Sequence, residues 1–232
     1  MKDKIKGIAF DLDGTLYPNY RLNIRLLPFV LKELRLLTAF GRARNIIRKE
    51  QENDLQSQSA FSIPFDDFYI YQAEKTAKIL AAQPEQIKEK IDRLIYSGWV
   101  PIFKNVKVFK GVHETLYELK KMGYKLGLLS DFPPEDKLKN LGITSYWDCI
   151  LCSERCGALK PHPLSFLKMA EKMSLPPENI LYVGNSHSYD VVGAARAGMK
   201  TAWLKPAFGP DRKPTADFSF TNYRQFFNFM IL

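Results

Sequence analysis

From residue 108 onward the chain alternates short, continuous apolar runs with segments of helical periodicity. A helical pattern opens at "GVHETLYELKKMG", with Gly123 in the stopping position. The apolar run "YKLGLLS" follows, and then a proline-started helix, "PPEDKLKNLG". A third round gives "WDCILCS" and "PLSFLKMAEKM", and a fourth gives "NILYVG", "SYDVVGAARAG" and "KTAWLK". Apolar runs without alternation, separated by helices, predict a parallel sheet covered on both faces. The first strand pattern, "KGIAFDLD", fits the same sheet.

Residues 18–98 read differently. "FDDFYIYQAEKTAKILAA" and "PEQIKEKIDRLIYSG" have helical spacing, with Pro84 where a first turn tolerates it. Between helical patterns, the polar stretch "EQENDLQSQSA" reads as a loop, and "YRLNIRLL" before Pro28 is ambiguous. The expected organisation is therefore an α/β core of residues 1–17 and 99–232. An all-helical insert of residues 18–98 interrupts it just after the first strand. No internal repeat is found.

Composition adds little to this picture, and charge adds more. With 46% hydrophobic and 25% charged residues, the 232-residue chain has the make-up of an ordinary globular protein. The start runs at once into a strand, with an apolar run too short for a secretory signal core. The most apolar region, "LLPFVLKELRLLTAF", is broken by Lys32, Glu33 and Arg35, so no membrane span is expected. A cytoplasmic protein is the expectation. The net charge of +9 is concentrated: Arg21, Arg25, Lys32, Arg35, Arg42, Arg44, Arg48 and Lys49 face only Glu33 within residues 21–49. The interleaved leucines favour a solvated helix face over an anion-binding surface. No nucleic-acid motif accompanies the patch. Cys149, Cys152 and Cys156 lack a fourth cysteine for a closed metal site and read as small buried hydrophobes.

The chemistry gathers at strand ends, where open parallel sheets bind ligands. In "IAFDLDGTLYPNY", Asp11 and Asp13 stand two apart on a strand, so both carboxylates face one side while Leu12 packs inward. Like charges that close repel unless a cation or a shared proton relieves them. The next strand ends in Ser130, the third leads to Lys160 in "GALKPHP", and the fourth leads to Asn185 and Asp190 in "LYVGNSHSYD". Together these residues suit phosphoryl transfer. Asp11, with the group at Asn185 and Asp190, can hold Mg2+, a hard cation that prefers oxygen ligands. Asp11 can then attack an anionic phosphate while Asp13 protonates the leaving oxygen and later deprotonates water. Ser130 and the backbone N–H groups near Asp13 and Asp131 can hold phosphoryl oxygens, and Lys160 supplies fixed positive charge.

These motifs, in this order, resemble the haloacid dehalogenase superfamily, mostly Mg2+-dependent phosphatases. "DLDGTLY", "LLSD", "LKPHP" and "YVGNSHSYDVVGAARAGM" match its four motifs across residues 6 to about 204. The resemblance implies a doubly wound α/β core and makes residues 18–98 a mobile helical cap. It also implies that the backbone carbonyl of Asp13, not its side chain, meets the metal. One residue departs from the pattern: Asn185 stands where the family usually has Asp, which removes a charge from the metal site. The dehalogenase branch lacks the second acid, so Asp13 argues for phosphate chemistry. The expected activity is hydrolysis of a small phosphorylated metabolite through an aspartyl-phosphate. The alternatives are a phosphomutase of the same family and a catalytically weak binding protein that keeps the fold.

Overall fold

The computed structural model describes residues 2–20, 31–57, 65–206 and 216–231. Six strands form one sheet: β1 (Gly7–Phe10), β2 (Lys125–Ser130), β3 (Cys149–Cys152), β4 (Ile180–Gly184), β5 (Lys200–Leu204) and β6 (Phe218–Phe220). Their order is β3-β2-β1-β4-β5-β6, and every pairing is parallel. The order reverses beside β1, so crossovers run out to both edges from the centre and helices cover both faces. This is a doubly wound α/β sheet. Strand residues divide between two cores by their period of two. Ile8, Phe10, Leu126, Leu128, Leu181 and Val183 join one cluster, while Ala9, Leu129, Ile180 and Tyr182 join the other.

The helical part holds α1 (Leu34–Gln56), α2 (Phe65–Leu80) and α3 (Pro84–Ile91), the last continued by wider turns over Asp92–Ser97. Leu36, Phe40, Ala73, Ala77, Ile87, Ile91 and Ile95 make its own small core, against which Trp99 and Phe132 pack. In the core domain α4 (Val112–Lys121), α5 (Glu135–Leu141), α6 (Pro163–Met173) and α7 (Val192–Arg196) follow successive strands. A C-terminal α8 (Tyr223–Ile231) completes it.

Three expectations change. The polar stretch from Glu50 is not a loop as far as Gln56, because α1 continues through it. Its polar residues are contacts instead: Gln51 reaches Gly157 O and Leu159 N, and Glu52 pairs with Arg196. The basic segment also splits. Arg44 is buried and Arg48 half-buried, both turned onto the core domain, while Lys32, Arg35, Arg42 and Lys49 are exposed. Arg21, Arg25 and most of "YRLNIRLL" lie outside the described residues. Finally, β6 extends the sheet beyond the last strand read from the pattern, and the helix α8 follows it. The three cysteines are buried free thiols, as a hydrophobic role requires, and burial pushes each thiol up.

Candidate active site

The strand ends place the acids and lysines together. Just past β1, the buried Asp11 carboxylate is held from two sides. Lys160 Nζ donates to its Oδ1 at 2.6 Å, and Thr15 Oγ1 donates to its Oδ2 at 2.7 Å. Lys160 is itself only 3% exposed and spans to Asp190 Oδ1 at 2.7 Å. Burial opposes the charge on Lys160, but Asp11 and Asp190 outweigh it and hold the ammonium protonated. Burial, then the Asp190 charge, push the Asp11 carboxyl up to about 7 against the pull of Lys160.

Asp13 has a separate cation. Lys137 Nζ, from α5, donates to both Asp13 oxygens at 2.7 Å, and the Tyr17 hydroxyl donates to Oδ1. Ser130 Oγ, at the end of β2, lies 3.5 Å from Asp13 Oδ2 and accepts from Phe132 N at 3.2 Å. The next residue, Asp131, turns its side chain to the helical part. Arg48 Nη2 meets its Oδ2 at 2.8 Å, and Lys160 N donates to its Oδ1 at 3.3 Å. Burial would raise the Asp131 carboxyl, but Arg48, Lys160 and Arg44 together hold it down at about 2.

At β4 two glycine positions decide the packing. A Cβ on Gly184 would lie 2.3 Å from the Asp190 Cβ, so only glycine lets the Asp190 side chain close on the strand end. Gly14 has φ +88°, and a Cβ there would lie 2.4 Å from Asn185 Nδ2. The Asn185 amide thus fits against a bare backbone with its Oδ1 3.2 Å from Thr15 Oγ1. Asp190 uses both oxygens, one on Lys160 and one on Ser186 N at 2.9 Å.

Asp11, Lys160, Asn185 and Asp190 are therefore linked through shared partners, and Asp131 joins them through Lys160 and Arg48, while Asp13 and Ser130 form a neighbouring pair whose charge also bears on Asp11. Thr15, Tyr17, Lys137 and Arg48 complete the arrangement and carry no role in the sequence reading. Thr15 stands within "DLDGTLY", four residues after Asp11, and so had a visible signal. Lys137 had none, because its contact with Asp13 spans 124 residues of chain.

The helical part closes over this site by ion pairs and packing. Buried Arg44 bonds Gln72 Oε1 at 2.7 Å and pairs with the buried Glu154. Its guanidinium lies 4.3 Å from the Phe132 ring centroid. Arg48 also donates from Nε to Lys160 O at 2.9 Å and covers the Tyr189 ring. Ile47 and Phe68 pack on Leu159.

As a metal site, the donor set is hard and oxygen-rich. Asp11 Oδ2 and Asn185 Oδ1 both lie within reach of the Thr15 hydroxyl, so two oxygen donors converge where the strands β1 and β4 end. An additional cation there would act in the same sense as Lys160, keeping Asp11 ionised against burial. The residues fit Mg2+. Among the described residues no group of three or more His, Cys, Asp or Glu side chains is placed to hold a metal. Such a site would depend on amide and backbone oxygens as well as carboxylate.

Comparison with known proteins bears on the family and the fold. The sequence model of the haloacid dehalogenase-like hydrolases matches residues 5–198. A glyceraldehyde 3-phosphate phosphatase from Methanopyrus kandleri is 27% identical over 216 residues, covering 92% of this chain and 89% of that protein. A phosphoglycolate phosphatase from Escherichia coli is 29% identical over 219 residues, covering 87% and 82% respectively. The crystal structure of a HAD phosphatase from Thermococcus onnurineus superposes with a TM-score of 0.65 at 21% identity, covering 97% of this chain and 98% of that one. The chain belongs to the haloacid dehalogenase-like hydrolase family, on its phosphoric monoester hydrolase branch.

Proposed function

We propose that the protein is a Mg2+-dependent phosphatase that hydrolyses small phosphomonoesters through a phosphorylated Asp11. The observation that carries this reading is the second acid. Asp13 stands beside the Ser130 hydroxyl, with a cation of its own, at the mouth of the strand that bears Asp11. A nucleophile alone suffices for displacing a halide, whereas an alkoxide leaving group needs a proton donor.

Asp11 Oδ attacks phosphorus as the ester P–O bond breaks, and Asp13 delivers its proton to the departing oxygen. Water then attacks the phosphoryl group, Asp13 accepts the water proton, and the Asp11–phosphorus bond breaks. Ser130, the Asp131 N–H and Lys160 orient the phosphoryl oxygens and stabilise the charge that spreads over them. Bound Mg2+ would supply charge neutralisation between Asp11 and the phosphate, held by Asp11, the Asp13 carbonyl and Asn185. Asp190 completes that acidic group and anchors Lys160 from behind. Residues 1–17 and 99–232 form the catalytic core in this reading, and residues 18–98 form the cap. No described helix is long and apolar enough to cross a membrane.

The test is phosphate release from glyceraldehyde 3-phosphate, phosphoglycolate and p-nitrophenyl phosphate. Release should require Mg2+, stop with EDTA and return when Mg2+ is restored. Absence of release from all three at saturating Mg2+ would overturn the assignment.

Asn185 offers a sharper check on the metal. Asn185→Asp adds a unit charge near a divalent ion, a gross gain of several kcal/mol at about 4 Å and an effective dielectric of about 20. Desolvation and repulsion from Asp11 and Asp190 cancel most of it. The expected net is about a tenfold gain in Mg2+ affinity, or about 1.4 kcal/mol. The Mg2+ concentration for half-maximal activity should fall accordingly. An unchanged or higher value would remove Asn185 from the ligand set.

A further inference from the structure

Lys137 is nine-tenths buried, yet it belongs to no motif that marks the site. It rises from the first turns of α5 with its ammonium between two aromatic faces, 5.4 Å from the centroids of both Phe103 and Phe132. Among the described residues its one ion-pair partner is Asp13, and it takes both oxygens of that carboxylate at 2.7 Å. The Tyr17 hydroxyl binds the same carboxylate from the other side, and its ring meets Phe103 edge-on with centroids 5.7 Å apart. Burial, then the Asp13 charge, push the Tyr17 phenol up, so it remains a hydrogen-bond donor. Lysine, tyrosine and aromatic walls thus make one clamp around one carboxylate.

We propose that Lys137, with Tyr17, is a positioning residue that fixes the Asp13 carboxyl for proton transfer to the leaving oxygen. The proposal rests on the reading of Asp13 as the proton shuttle. A carboxylate free to rotate at a strand end spends little time in line with the leaving group, and a small misplacement is costly in rate. Donors on both oxygens remove that rotation. The clamp also ties two parts of the reaction together. Lys137 follows Ser130 by seven residues, with Phe132 between them in the chain forming one wall of the clamp. Movement of the loop after β2 therefore shifts the phosphate-binding hydroxyl and the proton donor as a unit. Lys137 exchanges no proton: when Asp13 is the carboxyl, one oxygen carries the proton and the other accepts, and after transfer both accept.

A purely structural ion pair and a positioning clamp differ in how a variant treats leaving groups. Nitrophenolate leaves without a proton, whereas an alkoxide requires one. Asp13→Asn sets the reference: kcat/KM, which reports formation of the phosphoenzyme and not the later attack of water that also uses Asp13, should fall far more on glycerol phosphate than on p-nitrophenyl phosphate. Lys137→Met should show the same split, about 100-fold on the alkyl ester and less than about threefold on the aryl ester. Lys137→Arg should recover part of the loss. Tyr17→Phe, which keeps the ring against Phe103, should show a smaller split in the same sense and serves if Lys137→Met fails to fold. Equal losses on both esters in Lys137→Met, or in Tyr17→Phe where only that variant folds, would overturn the clamp while Asp13→Asn keeps its split. If Asp13→Asn itself shows no split, the shuttle reading fails and the clamp with it.

Discussion

Asp11→Asn is expected to remove turnover by about 10⁴-fold or more while leaving the fold intact. The amide occupies the same volume, its oxygen can still accept from Lys160 and its NH2 can donate to the Thr15 hydroxyl oxygen, so the geometry around it survives. The attacking charge is what disappears. Stability should move the other way. Burial and Asp190 raise the folded-state carboxyl from 3.8 to about 7, so the ionised form is disfavoured by folding. An acid raised in this way destabilises the fold above its folded pKa and has no effect below its unfolded one. In EDTA, Asp11→Asn should therefore be more stable than the parent above about pH 7, with the advantage fading as the pH falls towards 4. Trapping with a fluoride–metal phosphoryl mimic, followed by mass spectrometry of native phosphoenzyme, locates the attacked residue. Label on any residue other than Asp11 would end the mechanism.

Activity and stability thus pull against each other at one carboxylate, and the surrounding charges show how the fold manages it. The pair Asp11 and Asp13 looked costly as sequence, and a metal was the obvious relief. In the folded chain the acids also meet lysines: Asp13 has Lys137, and Asp11 has Lys160, which it shares with Asp190. Asp131 has its own arginine, Arg48. Cations meet the acids locally before any ligand enters, with one lysine serving both Asp11 and Asp190. In the proposed reaction the phosphate oxygens would then meet donors already held in place, which is the condition for electrostatic stabilisation of a transition state.

How much of this was legible follows from where each signal lies. Ser130, Lys160 and Asn185 could be found because a parallel sheet sends all strand ends to one side, and strand ends are visible as the stops of apolar runs. Leu34–Gln56 was cut short because Glu50, Gln51 and Glu52 look like solvent-facing residues. Gln51 and Glu52 are polar because they meet the core domain, while Glu50 pairs with Lys75 of α2, and periodicity cannot distinguish such partners from water. The strand Phe218–Phe220 is three residues long and too short to show a period, although Phe220, Tyr223 and Phe226 pack closely. Arg44 and Arg48 belong to the basic segment by composition and to the site by contact. Lys137 and Tyr17 are of the same kind: their roles exist only once distant parts of the chain meet.

The strongest test of the charge balance is Lys160→Met. Lys160 Nζ sits between Asp11 and Asp190 at 2.6 and 2.7 Å, and all three side chains are almost fully buried. Removing the ammonium leaves two carboxylates facing each other without their cation. Breaking a buried pair in this way typically costs about 3–5 kcal/mol, because the stranded charge has no water to replace its partner. The unfolding free energy in EDTA should fall by that amount at neutral pH. Turnover with Mg2+ should fall by about 10³-fold, since the same ammonium also faces the transferring phosphoryl group. Lys160→Met combined with Asp190→Asn separates the two effects. Removing one of the facing charges should restore a large part of the stability, yet none of the rate, because neither substitution returns a cation to the phosphate. If Lys160→Met loses less than about 1 kcal/mol, the three groups are solvated as a surface pair would be, and Lys160 does not organise the site.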